Sequence, residues 1–209
     1  MPRRPARSAL ALALSLALTP QPAGAAAGDE ERERIVHALN RLAFGPRPGD
    51  VERVRELGLE RWIARQLEPE RISDEGLEPR LAGLQTLRQS TRQLLAGYEP
   101  SPEARREIQK RRGQLENASE AEQRALRREL RDQTLAGLQG SPRQVIDELQ
   151  AAKLVRAVHS ERQLDEVLVD FWMNHFNVYA QKGPLRFLLN EYEQEVVRPR
   201  AWGRFEELL

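Results

Sequence analysis

The stretch SERQLDEVLVDFWMNHFNVYAQKG, residues 160–183, decides the architecture. Its apolar residues recur at helical rather than alternating spacing and cover most of the circumference of one helix, leaving a narrow polar wedge. With Phe171 at zero and about 100° per residue, Leu164, Val167, Leu168, His175 and Val178 fall within about 60° of it, and Val169, Trp172, Met173 and Phe176 cover the opposite flank. The remaining arc holds Gln163, Glu166, Asp170, Asn174 and Asn177. Such a helix is built to be buried. Its wedge then needs hydrogen-bond partners, and His175 is expected to face the core.

Two readings of the wedge compete. In one, the amides and carboxylates satisfy backbone groups and basic residues on neighbouring helices. In the other, Asp170 and Asn174, one turn apart, project together into a cavity and take a metal or a polar substrate. His175 lies about 140° around the helix from Asp170, so the two join one site only through another element. Asp170, Asn174 and His175 are the candidate catalytic residues. His37 and His159 have no metal-ligand spacing with His175, and the sequence names no cofactor and no metal. Nucleophile elbows, phosphate-cradling glycine loops and the H-E-x-x-H pattern are absent. Glu191 and Glu195 form an i, i+4 carboxylate pair for which salt bridges to arginines such as Arg198 are expected.

Working outward, the fold class is all-α: a multi-helix domain with a charged helical hairpin or insertion, incomplete at the C-terminus. A helix is expected over Glu30 to Ala43, followed by a break at FGPRPGD in which Asp50 caps the next helix. VERVRELG and LERWIARQL follow as two short helices, completing an N-terminal subdomain over residues 28–80. Residues 81–140 form the charged insertion. There Ser101-Pro102 and Ser119-x-x-Glu122 start two helices, and the hairpin over 102–131 is a candidate docking arm for a protein partner. Residues 141–209 hold the remaining helices, with starts expected at Ser141 and Ser160. Eight of the eleven aromatic residues lie between Phe171 and Phe205, so the core is expected to be seeded there.

Composition narrows the function classes. The chain has no cysteine, which removes disulfides, thiol nucleophiles and thiolate metal sites. MPRRPAR, SALALALSLAL and TPQPAGAAA read as the basic, apolar and cleavage regions of a signal peptide over residues 1–25, with an A-x-A site at Ala23 and Ala25. The expected address is periplasmic or secreted, with no transmembrane anchor after cleavage, because the apolar run covers only about half a bilayer core. The chain carries 33 basic and 32 acidic residues, and loss of Arg3, Arg4 and Arg7 leaves a small negative excess. That balance gives no footprint for nucleic acid.

The segments over residues 37–67, 160–178 and 192–209 together resemble the uncharacterised bacterial family known as domain of unknown function 1800. The family pattern falls on His37, Asn40, Arg41, Phe44 and Gly45, then on Asp170, Phe171, Trp172, Asn174, His175, Phe176 and Asn177, then on Tyr192, Glu193, Arg198, Pro199 and Gly203. The resemblance implies an exported, largely helical protein without an established activity. It also implies a continuation beyond Leu209 with a glutamate-rich motif, since WGRFEELL reads as an unfinished helix. Two functional expectations follow: a metal-assisted hydrolase completed by downstream glutamates, or a binding or scaffolding module using the charged hairpin.

Overall fold

The computed structural model describes residues 23–115 and 118–208, and among them helices and turns account for all the regular structure. The chain is an all-α multi-helix domain. The basic and apolar regions of the leader lie outside the described residues. No helix among the described residues is long and apolar enough to cross a membrane.

Helix α1 runs Ala23–Leu42, α2 Asp50–Leu57 and α3 Leu59–Gln66. The first begins earlier than expected because the alanine-rich segment has high helix propensity. Gly49 (φ 83°) and Gly58 (φ 90°) supply the left-handed backbone that separates the three. Asp50 is the first residue of α2 rather than its cap. Its buried carboxylate instead accepts from the Arg47 backbone N–H (2.8 Å) and Nε (2.9 Å) and pairs with Arg53.

Burial acts to raise the Asp50 pKa, but Arg47 and Arg53 outweigh it and hold the carboxyl below its ordinary value. Its stabilisation is therefore full above the unfolded-state pKa of about 3.9 and is lost as pH falls through the lower folded value. Asp50→Ala is expected to cost about 2–3 kcal/mol at pH 7 in urea unfolding, since charge-assisted bonds from a buried acceptor are lost. The deficit should shrink below about pH 4, and a deficit that stays constant into strong acid contradicts this account.

After two 3₁₀ turns, Pro69–Arg71 and Gln85–Arg88, and the short α4 (Glu78–Leu81), α5 spans Thr91–Tyr98. Helices α6 (Pro102–Leu115) and α7 (Glu120–Leu135) pack against each other as the expected hairpin. Ser119 forms its capping box with Glu122, and Ser101 Oγ accepts from the Ala104 N–H. Helix α8 (Pro142–His159) starts on Ser141. Helix α9 covers Gln163–Phe176, and Ser160 sits before it as the C-cap of α8, donating to Asp74 and accepting from the Arg162 N–H. Asn177 (φ 37°) ends α9, a left-handed position that asparagine tolerates, so the helix is shorter than residues 160–183.

Helix α10 (Leu185–Glu191) passes directly into a π-helical turn, Tyr192–Val197, then α11 (Arg198–Arg200) and a final 3₁₀ turn, Phe205–Glu207. Phe205–Glu207 is thus a 3₁₀ turn where WGRFEELL was expected to be α-helical.

The apolar interior is divided. Ile35, Leu39, Val51 and Val54 close the N-terminal helices, Leu94, Tyr98, Val145 and Phe187 join α5, α8 and α10, and Leu77, Leu81 and Ala152 hold α4 to α8. Val169, Val197 and Ala201 form a fourth group beneath α9. Of the C-terminal aromatics, Phe187 is fully buried, whereas Phe171, Tyr179, Trp202 and Phe205 are exposed. The core is therefore not seeded by that aromatic cluster.

Candidate functional site

Helix α9 meets the expectation over its first turns, where Leu164 is buried and the wedge finds partners, and departs from it over its last, where His175, expected to face the core, is exposed. Its wedge residues Gln163 and Glu166 are buried beside Val169, while Phe171 is 53% exposed and His175 is also exposed. The rings of Phe171, Trp172, His175, Phe176 and Phe205 instead contact one another along the outward side, with centroids 4.9 to 6.3 Å apart. Burial of the wedge is possible because each inward polar group is bonded. Gln163 donates to the Ser160 and Ala157 carbonyls at 2.8 and 3.1 Å, and Gln66 accepts from the Leu164 N–H at 3.1 Å.

Glu166 is the centre of an ion network. Arg198 grips it with two parallel bonds of 2.9 and 2.8 Å, and the same guanidinium binds Glu193 at 2.9 and 2.7 Å. Arg156 approaches Glu166 at 3.7 Å. All four side chains are largely buried. Burial works against the charge of Arg198, yet Glu166 and Glu193 outweigh it and hold its pKa above the ordinary arginine value. Arg156 goes the other way, lowered by burial and then by Arg198. Its buried Nε has no hydrogen-bond partner among the described residues.

The carboxylate that meets Arg198 from its own segment is Glu193, not Glu191 or Glu195. Glu191 accepts from the Thr91 N–H and Oγ1 at 2.7 and 2.6 Å. The π turn explains the exchange, because its extra residue per turn rotates Glu193 inward relative to an α-helical count. Arg156 carries no motif either, being a single arginine in AAKLVRAVHS. Nothing in its neighbourhood distinguishes it from Lys153, three residues earlier, whose partner is Asp170.

This network separates two spaces. On one side, Phe44, Ile146, Leu149, Val169, Met173 and Leu189 line a small, mainly apolar cavity of about 160 Å3, with Glu166, Glu193 and Arg198 in its wall. Asp170 and Lys153 lie at the same cavity as an ion pair. On the other side, an open groove of about 890 Å3 is lined by Glu166 and Arg198 with Arg156, Arg162, Asp165, Asp74, Glu78 and residues 70–73.

The candidate residues therefore do not converge. Asp170 and Asn174 meet, with Asn174 donating to Asp170 at 3.1 Å, and Lys153 takes the other carboxylate oxygen. His175 belongs to the aromatic side. No group of three or more His, Asp or Glu among the described residues is placed to hold a metal ion.

Asp165, which the sequence reading does not single out, has a distinct environment in the groove. Burial raises its pKa, opposed by the Trp202 indole N–H donating at 2.8 Å and reinforced by Glu166. A carboxyl shifted upward loses stabilising effect as pH climbs from about 3.9 through the raised folded value. Asp165→Asn keeps an acceptor for Trp202 and removes that titration. Its melting temperature relative to wild type is expected to rise between pH 4 and pH 7. A variant less stable than wild type at neutral pH contradicts this reading.

A family model described as "Protein of unknown function (DUF1800)" matches residues 37–209. No curated protein and no solved structure matches the chain.

Proposed function

The chain belongs to that family, whose description assigns no activity, and from its own geometry we propose an exported all-α domain that binds a neutral, hydroxyl-rich ligand, a glycan segment, in the groove over Glu166 and Arg198. The observation that carries this reading is the groove lining. Six carboxylates (Glu70, Asp74, Glu75, Glu78, Asp165 and Glu166) face the same space as four arginines (Arg71, Arg156, Arg162 and Arg198), and only Ile72, Leu77 and Pro199 are apolar.

Both charge signs at close quarters disfavour a ligand of strong net charge, because part of the lining repels either sign. A hydroxyl suits both, donating to a carboxylate and accepting from a guanidinium. Outside the lining itself, Trp202 is 41% exposed and bonded to the lining residue Asp165. An exposed indole face held in place offers the apolar platform on which a sugar ring packs. The leader motif at the N-terminus supports an extracytoplasmic address, where glycans are the abundant polyols.

The metal-assisted alternative gains less support, since Asp170 is occupied by Lys153 and Asn174 and His175 faces away with the aromatic rings. Titration of the chain with soluble oligosaccharides tests the proposal through tryptophan fluorescence and calorimetry. Saturable binding tighter than about 1 mM is expected, lost in Trp202→Ala and weakened in Glu78→Gln without loss of cooperative unfolding. No saturable binding to any oligosaccharide, or binding unchanged in both variants, overturns it.

A further inference from the structure

Helix α7 carries Arg124, Arg127, Arg128 and Arg131 at the i, i+3, i+4, i+7 positions, within an arc of about 100°. Leu126 and Leu130, on the α6 side of the helix, are half-buried and buried, and the four arginines lie on the side away from them, all exposed. Together the four line a shallow concavity of about 340 Å3 that no other residue borders among those described. Arg124 pairs with Glu120 at 3.2 Å and Arg131 with Asp132 at 3.6 Å, both pairs exposed. Arg127 and Arg128 have no carboxylate partner among the described residues.

We propose that this arginine face of α7 docks the protein onto an anionic lipid surface, with phosphate headgroups seated in the concavity. The partner follows from what the face lacks as much as from what it has. Protein interfaces are anchored by buried aromatic and aliphatic side chains, and the arginine stripe contains none. The α7 leucines are committed to the seam with α6. What remains is attraction by charge alone, which suits a surface presenting many phosphates at once. With acidic residues outnumbering basic ones once the leader is removed, the rest of the molecule is weakly repelled by the same surface. The arginine face therefore also sets orientation, pointing the hairpin at the membrane. The choice of lipid over nucleic acid rests on the export reading, since an exported chain meets phosphate chiefly as headgroups.

The test uses the chain expressed behind its own leader and recovered from the periplasm, so fractionation reads export separately from docking. It is sedimented with phosphatidylcholine vesicles with and without phosphatidylglycerol. Binding is expected only to the anionic vesicles, at low salt, with release at roughly 0.5 M salt. Arg127→Gln with Arg128→Gln should weaken it about 25-fold, about fivefold per arginine, with circular dichroism unchanged because glutamine and arginine have similar helix propensity. Equal binding to both vesicle types, an unaffected double variant, displacement by millimolar inorganic phosphate, or retention on duplex DNA in place of vesicles each overturns the proposal.

Discussion

Arg198→Met is expected to destabilise the domain by about 3–5 kcal/mol, the largest effect of any single substitution considered, because it strands Glu166 and Glu193 in a buried site. Among the described residues Arg198 is the only group bonded to both carboxylates, and its side chain is itself 16% exposed. Arg156 stands 3.7 Å from Glu166 and offers partial compensation there, with none of Arg198's bonds to Glu193. The two carboxylates are thus unequal once Arg198 is gone. Removing Glu193 as well, in Arg198→Met/Glu193→Gln, leaves the Arg156–Glu166 pair with balanced charge. The double variant should therefore be more stable than Arg198→Met alone, a strong departure from additivity. Urea denaturation of the set decides the matter, and additive losses would show that the four side chains do not act as a unit.

The second large effect concerns the direction in which α9 faces. Val169 is 3% exposed and Phe171 is 53% exposed, although the two sit two residues apart in a run of similar hydrophobicity. Val169→Asp places an unpaired carboxylate against Val197 and Ala201 and is expected to cost several kcal/mol, about 3 or more. Phe171→Asp loses only ring contacts with Trp172 and His175, worth about 1 kcal/mol. Thermal or urea unfolding separates these cases readily. Equal losses at both positions would mean that α9 is buried on all sides, as its apolar content suggests.

That comparison also shows how far the sequence can be read. Local rules located most helices, because caps and breaks are written in adjacent residues: Ser119 with Glu122, Ser141 before Pro142, Gly49 and Gly58 at left-handed turns. The hydrophobic pattern of α9 established a helix but not its inward side. Burial of Gln163 and Glu166 depends on Ser160, Phe44 and Arg198, and the last two lie 119 and 32 residues away in the chain. No periodicity within the helix reports partners at that separation.

The π turn at Tyr192–Val197 is a second limit, for an α-helical count assigns Glu193 to the wrong side and draws attention to Glu191 and Glu195. Of the candidate site, Asp170 and Asn174 were legible as a pair one turn apart, and they do meet. Their neutralising partner, Lys153, lies on another helix and left no local signal. His175 was misdirected for the same reason as Phe171. An apolar neighbourhood in sequence became an exposed ring cluster in space.

Glu166 and Arg198 border both the small cavity and the open groove, so one pair of side chains is the boundary of two compartments. A molecule that shifts this pair from the groove side alters the shape of the cavity behind it, and a cavity occupant does the reverse. Thermodynamic reciprocity then makes the affinity changes equal in both directions. The salt bridge is thus more than a brace: it is a wall shared by the two spaces.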